Sequence, residues 1–226
     1  MVVVGISARL VDGSYKVGEN LIKKIKENNA FPIIILPGFA EALEIILALC
    51  NGFIIPGGNI WHETDELIIK YAIKHDIPLL GICAGMQAIA NIKNFCGTKD
   101  SDKTILIGND KHYSLDKYSH CINITSNFFS DILESNCIMV NSRHKFTVVK
   151  EDYFVVDAYS DDGVIEAIHL PNKKFILGVQ WHPENLDDEF SQKLFSTFIE
   201  QCKNSWYNLK EPRKFSEGFF YFLKWR

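Results

Sequence analysis

The sequence predicts an α/β fold, with a doubly wound, mostly parallel central sheet and helices on both faces. Two observations predict it. Short apolar runs alternate with helical patterns through the first half of the chain. Those runs are continuous rather than alternating, as expected of strands covered on both faces.

The runs "VVVGIS" (2–7), "FPIIIL" (31–36), "GFIIP" (52–56) and "IPLLGI" (77–82) read as buried strands. Between them, residues 19–29, 40–50 and 64–75 read as helices. Thr64 is the expected N-cap of the last, with Asp65 and Glu66 in its first turn. Strand–helix–strand repetition with short connections implies right-handed crossovers and a parallel sheet. Sites in such sheets form beyond the carboxyl ends of the strands.

The second half changes character. Residues 119–125, 137–142, 153–160, 163–170 and 174–180 are strand-like, with turn residues between them. "DDG" (161–163) suits a hairpin turn. A last amphipathic helix is expected over about 187–203, with Phe190, Leu194, Phe195, Phe198, Ile199 and Cys202 on one stripe. Residues 1–203 are therefore read as one domain. Residues 204–226 form a tail with eight aromatic, five basic and two acidic side chains. The simpler expectation is that it packs back on the domain. The sharper one is an arm for a homodimer or another partner.

Bulk properties exclude several function classes. A net charge of −4 argues against a general nucleic-acid binder. The apolar runs are too short for a membrane span, and "MVVVG" lacks the basic start of a leader peptide. Six cysteines without CxxC spacing read as reduced thiols of a cytoplasmic protein. Seven scattered histidines lack ligand spacing, so no metal and no other cofactor is expected.

The chemistry centres on "GICAG" (81–85). A cysteine at a sharp strand-to-helix turn is lifted clear of the sheet, and small neighbours let the turn close. The helix that follows points its N-terminus at the sulfur, which favours the thiolate. The Ala84 amide is then free to donate to a developing oxyanion. A plain buried thiol is the alternative, but it leaves the flanking glycines unexplained. A thiolate nucleophile needs a base and an orienting group. "GVQWHPE" supplies His182 and Glu184, which share one side of an extended backbone around Pro183. Gly57 and Gly58, ending the run "GFIIPGG", can expose a second amide donor.

"PGG", "GICAGMQ" and "GVQWHPE", in that order, resemble the class I glutamine amidotransferase superfamily over roughly residues 2–203. "SHCINI" (119–124), "VNSRH" (140–144) and the segment 160–184 are similar to its gamma-glutamyl-gamma-aminobutyrate hydrolase branch of cysteine peptidases. The resemblance implies a flavodoxin-like glutamine amidotransferase fold. It also implies a Cys83–His182–Glu184 triad, an oxyanion hole from the amides of Gly58 and Ala84, and no cofactor. Gly57, Gln87, Asn141, Ser142 and His144 match positions on the substrate side. Three departures concern the mouth of the site. Ala84 stands where the branch usually has arginine, and Lys145 and Phe146 replace the end of an "NSxHHQ" pattern. The loop after Gly58 is short, and places Trp61 and His62 as candidates near a leaving group.

The reaction expected from the resemblance is hydrolysis of a small γ-glutamyl amide, releasing glutamate and an amine. The alternative is a glutaminase subunit that passes ammonia from glutamine to a separate synthase, with the tail as docking element. No nucleic acid or membrane partner is expected.

Overall fold

The computed structural model describes residues 1–37, 40–59, 61–94, 104–106 and 110–208. In chain order the strands and helices are β1 (Val2–Ser7), β2 (Arg9–Val11), β3 (Ser14–Lys16), α1 (Glu19–Glu27), β4 (Ala30–Ile35), α2 (Ala40–Leu49), β5 (Gly52–Ile55), α3 (Glu63–His75), β6 (Leu79–Ile82) and α4 (Ala84–Ala90). There follow β7 (Thr104–Leu106), β8 (His120–Ile124), α5 (Asn127–Leu133), β9 (Cys137–Val140), β10 (Phe146–Val148), β11 (Val155–Ser160), β12 (Ile165–His169), β13 (Ile176–Val179) and α6 (Glu189–Asn208).

Nine strands form one sheet in the order β4-β1-β5-β6-β13-β12-β11-β8-β9. From β4 to β13 all neighbours are parallel. From β13 to β9 they are antiparallel. The β1-α1-β4, β4-α2-β5 and β5-α3-β6 units are the expected crossovers.

Alternate residues of the central strands feed two apolar layers. Val2, Val4 and Ile6 of β1, Leu80 and Ile82 of β6, and Leu177 and Val179 of β13 face one layer, closed by α1, α5 and α6. Phe53 and Ile55 of β5, Leu79 of β6 and Ile176 of β13 face the other, closed by α2, α3 and α4. Two-sided burial is the physical reason these strands read as unbroken apolar runs. The stripe expected on the last helix faces the first layer. Leu194, Phe195, Phe198, Ile199 and Cys202 are buried, and Phe190 packs beside them.

Several boundaries differ from the sequence expectation. The last helix runs on to Asn208, five residues beyond the expected end at 203. The rest of the tail, 209–226, lies outside the described residues. The N-cap of α3 is His62 rather than Thr64, because the Asp65 carboxylate accepts the His62 amide at 2.8 Å and Thr64 is buried in the first turn. A disulfide joins Cys121 on β8 to Cys137 on β9, which corrects the expectation of six reduced thiols for that pair. Cys50, Cys83 and Cys202 are buried and outside any disulfide, and Cys96 lies outside the described residues. No helix among the described residues is long and apolar enough to cross a membrane.

Candidate active site

The site is a consequence of strand order. β5, β6 and β13 are adjacent and parallel, with Ile55 beside Gly81 and Ile82 beside Val179. Their carboxyl ends therefore open on one edge of the sheet. The residues just past those ends are Gly57 and Gly58, Cys83, and His182. Motifs about a hundred positions apart along the chain become neighbours.

Cys83 is the turn itself. Its amide donates to the Val179 carbonyl at 2.8 Å and its carbonyl accepts the Gln87 amide at 3.1 Å, the first turn of α4. Its backbone sits at φ 51° and ψ −104°, a conformation that L-residues seldom adopt. The flanking glycines explain how so sharp a turn closes. A Cβ on Gly85 would lie 2.0 Å from the Ile55 carbonyl oxygen, and one on Gly81 would lie 2.7 Å from the backbone of Gly85. Helix α4 is thus pressed directly against the ends of β5 and β6, where only glycine fits.

The imidazole of His182 is held on both sides. Nδ1 is 2.8 Å from Glu184 Oε1, and the ring is within side-chain hydrogen-bonding reach of Cys83. Its Cε1–Nε2 edge lies over Gly57, where a Cβ would come within 2.5 Å of Cε1. Gly57 is therefore the space into which the imidazole fits above the thiol. Extended backbone was expected to bring His182 and Glu184 together. Instead a 3-10 turn over Pro183–Asn185 does so, with the Asn185 amide donating to the His182 carbonyl at 3.1 Å. Trp181, buried, fixes the approach by packing on Phe129 with ring centroids 6.2 Å apart.

Burial by itself pulls the imidazole pKa down. The charge on Glu184 and the hydrogen bonds to Cys83 and Glu184 outweigh it and hold His182 well above its ordinary value of 6.5. With a folded value above the unfolded one, this pairing stabilises the protein fully below about pH 6.5 and fades as pH rises through the folded value. Replacing Glu184 with glutamine removes the charge, so the His182 titration moves to lower pH. Cε1 proton NMR across a pH series reads this directly. An unmoved midpoint in Glu184→Gln contradicts the pairing.

The PGG segment is clamped by a residue that sequence reasoning missed. Arg9, at the start of β2, donates through Nη2 to the Pro56 carbonyl at 2.7 Å and through Nε to the Gly57 carbonyl at 3.3 Å. Its Nη1 is 2.7 Å from Asp65 Oδ2, with both groups buried. Asp65 Oδ1 also accepts the Ser7 hydroxyl at 2.5 Å. Gly58 lies against the arginine, since a Cβ there would meet its side chain at 2.9 Å. The carbonyls of the segment are tied down from behind by this buried pair.

The remaining expected site residues are buried supports. Asn141 brackets His182, accepting its amide and donating to its carbonyl, both at 2.8 Å. Ser142 donates to the His112 carbonyl at 2.9 Å. His144 uses Nδ1 on the Phe146 carbonyl at 3.0 Å. Gln87 donates to the Phe146 carbonyl at 3.0 Å and to Gln180 at 3.1 Å. Trp61 is wholly buried in the second apolar layer, away from the expected mouth.

The arrangement sets a strained cysteine and a carboxylate-oriented histidine beside Gly57 and Gly58 at one sheet edge. That combination suits acyl transfer from an amide.

Comparison with known proteins agrees. The Peptidase C26 family profile matches residues 61–184. A glutamine amidotransferase-like protein of Rickettsia prowazekii is 27% identical, covering 84% of this chain and 90% of its own. One subunit of the glutamine-hydrolysing GMP synthase of Picrophilus torridus is 31% identical, covering 70% of this chain and 80% of its own. Among solved structures, a GMP synthase subunit from Thermoplasma acidophilum superposes with a TM-score of 0.70 at 18% identity, covering 93% of this chain and 98% of its own. The chain belongs to the Peptidase C26 family of the class I glutamine amidotransferase superfamily.

Proposed function

We propose that this protein hydrolyses the γ-glutamyl amide bond of a small γ-glutamyl compound through a thioester on Cys83. The reading rests on the strained cysteine within reach of a histidine that Glu184 orients. Cys83 attacks the γ-carbonyl, and the oxyanion takes hydrogen bonds from the Gly58 and Ala84 amides. His182 takes the thiol proton and gives it to the leaving amine. Water then adds to the thioester, its proton passing to His182 and on to the sulfur, and glutamate leaves. Asn141 acts as a positioning residue for His182. Residues 1–203 carry this chemistry.

The second reading is a glutaminase subunit that hands ammonia to a separate synthase, with residues 204–226 as the docking arm. The similarity to one component of a GMP synthase favours it. The two readings separate on one substrate panel: glutamine against γ-glutamyl amides of larger amines, with glutamate release as readout. Turnover of the substituted amides by the isolated chain is expected. Turnover of glutamine alone, or of nothing until a synthase is added, transfers the assignment to the second reading.

A further inference from the structure

Away from Cys83, the fold gathers buried titratable groups that the proposed reaction does not use. Glu166 on β12 is wholly buried, and three histidines converge on it. Its Oε1 is 3.1 Å from His120 Nε2, 3.4 Å from His112 Nδ1 and 3.4 Å from His144 Nε2. The His112 ring lies 4.8 Å from that of His120 and 5.0 Å from that of His144, centroid to centroid.

The far nitrogens decide what the near ones carry. His144 Nδ1 meets the Phe146 carbonyl at 3.0 Å, and a carbonyl only accepts. The proton of the neutral ring is therefore on Nδ1, and Nε2 turns a lone pair towards Glu166. His112 Nε2 meets the Asp162 carboxylate at 3.1 and 3.2 Å, so in the neutral ring Nδ1 likewise turns a lone pair towards Glu166, although, against burial, the two carboxylates favour its protonated form, whose proton a metal ion must displace. Both inward nitrogens and Glu166 Oε2 lack a hydrogen-bond partner, although all are buried. Two neutral rings and a carboxylate facing one another call for a cation between them, which is either a proton on a ring nitrogen or a metal ion.

We propose that His112, His144 and Glu166 bind a divalent transition cation of the zinc class as three protein ligands of a four-coordinate site. Imidazole nitrogen and carboxylate oxygen are its preferred donors, and a tetrahedron with bonds of about 2.0–2.1 Å has edges of about 3.3 Å. The two nitrogen-to-Oε1 separations of 3.4 Å match that edge. The three ligand atoms lie within 4.8 Å of one another, so modest closure completes the set. Asp162 and the Phe146 carbonyl hold the two rings from outside, and His120 Nε2 orients the carboxylate, as supporting groups do around bound metals. The expectation of no metal site rested on linear spacing. Positions 112, 144 and 166 have none, and only the folded sheet brings them together.

The test uses the full chain, stripped with chelator and returned to zinc. About one equivalent of zinc is expected to survive gel filtration, with the melting midpoint raised as zinc is added. Cys83→Ala keeps both effects, whereas His112→Gln, His144→Gln and Glu166→Gln lose them. Cobalt in the unmutated chain should give visible bands of tetrahedral ligation without a sulfur-to-metal charge-transfer band, a readout that survives even if the variants fail to fold. No retained zinc and no midpoint shift overturns the proposal, leaving a proton as the bridging cation. So does binding that survives all three variants. A charge-transfer band that Cys83→Ala abolishes puts the ion on the thiol and overturns it too.

Discussion

Cys83→Ala lowers glutamate release by roughly 10⁴-fold or more, the loss typical when the nucleophile of an acyl-transfer site is removed. Residual turnover, if any, comes from the oxyanion donors and binding alone. Stability should respond differently. At φ 51° and ψ −104° alanine inherits the strain of the native residue, so Cys83→Ala melts close to the parent. Cys83→Gly removes the Cβ that makes this conformation costly, and should be more stable than Cys83→Ala by about 1–3 kcal/mol. The two variants together test whether the elbow carries strain in exchange for activity. Comparable melting of the two would show that it does not. Activity retained in Cys83→Ala would remove the cysteine from the mechanism.

Gly85→Ala is expected to cost about 3 kcal/mol or more, near the upper end for overpacking. The added Cβ would sit 2.0 Å from the Ile55 carbonyl oxygen, which is backbone and cannot rotate aside. Helix α4 must retreat from β5, and the elbow with it. Chemical denaturation reads the loss of stability, and glutamate release of the surviving folded fraction reads displacement of the thiol. Gly163→Ala is a control of a different kind. That glycine has open space around it but a φ of +82°, so its cost is conformational and leaves the elbow in place. Equal effects of the two on activity would contradict the view that close helix–strand contact positions Cys83.

The parts legible in the sequence were those whose physics is local. Strands β1, β5 and β6 announced themselves as unbroken apolar runs because both their faces are buried, whereas β4, expected to be buried too, is an edge strand that leaves Phe31 and Ile34 exposed. The turn at Cys83 was legible because a cysteine between two glycines fits within five residues. The β2–β3 hairpin was missed although its turn, Asp12–Gly13, carries the familiar Asp-Gly signal with both residues at positive φ. Its strands are three residues each and largely exposed, so no apolar pattern marked them. Helix α5, at seven residues, was too short to show periodicity against its strand-like neighbours. Arg9 and Asp65 were invisible for another reason. A buried ion pair between residues 56 positions apart leaves no local trace, and each partner alone reads as a surface charge. The same holds for Asn141, whose role is defined by the backbone of His182.

The position of β13 bears on how this chain acquires its site. Among the described residues, the last strand to be synthesised, β13, is inserted between β6 and β12. Until then the sheet is two separate pieces with unpaired edges, and the cysteine turn exists without its histidine. Closure requires pairing of Leu79–Ile82 with Ile176–Val179 across nearly a hundred residues, a contact whose loop entropy must be met before it returns any stability. The meeting of Cys83 with His182 is therefore a late event, tied to completion of the whole sheet. A chain cut short before β13 is left with two bare strand edges suited to aggregation.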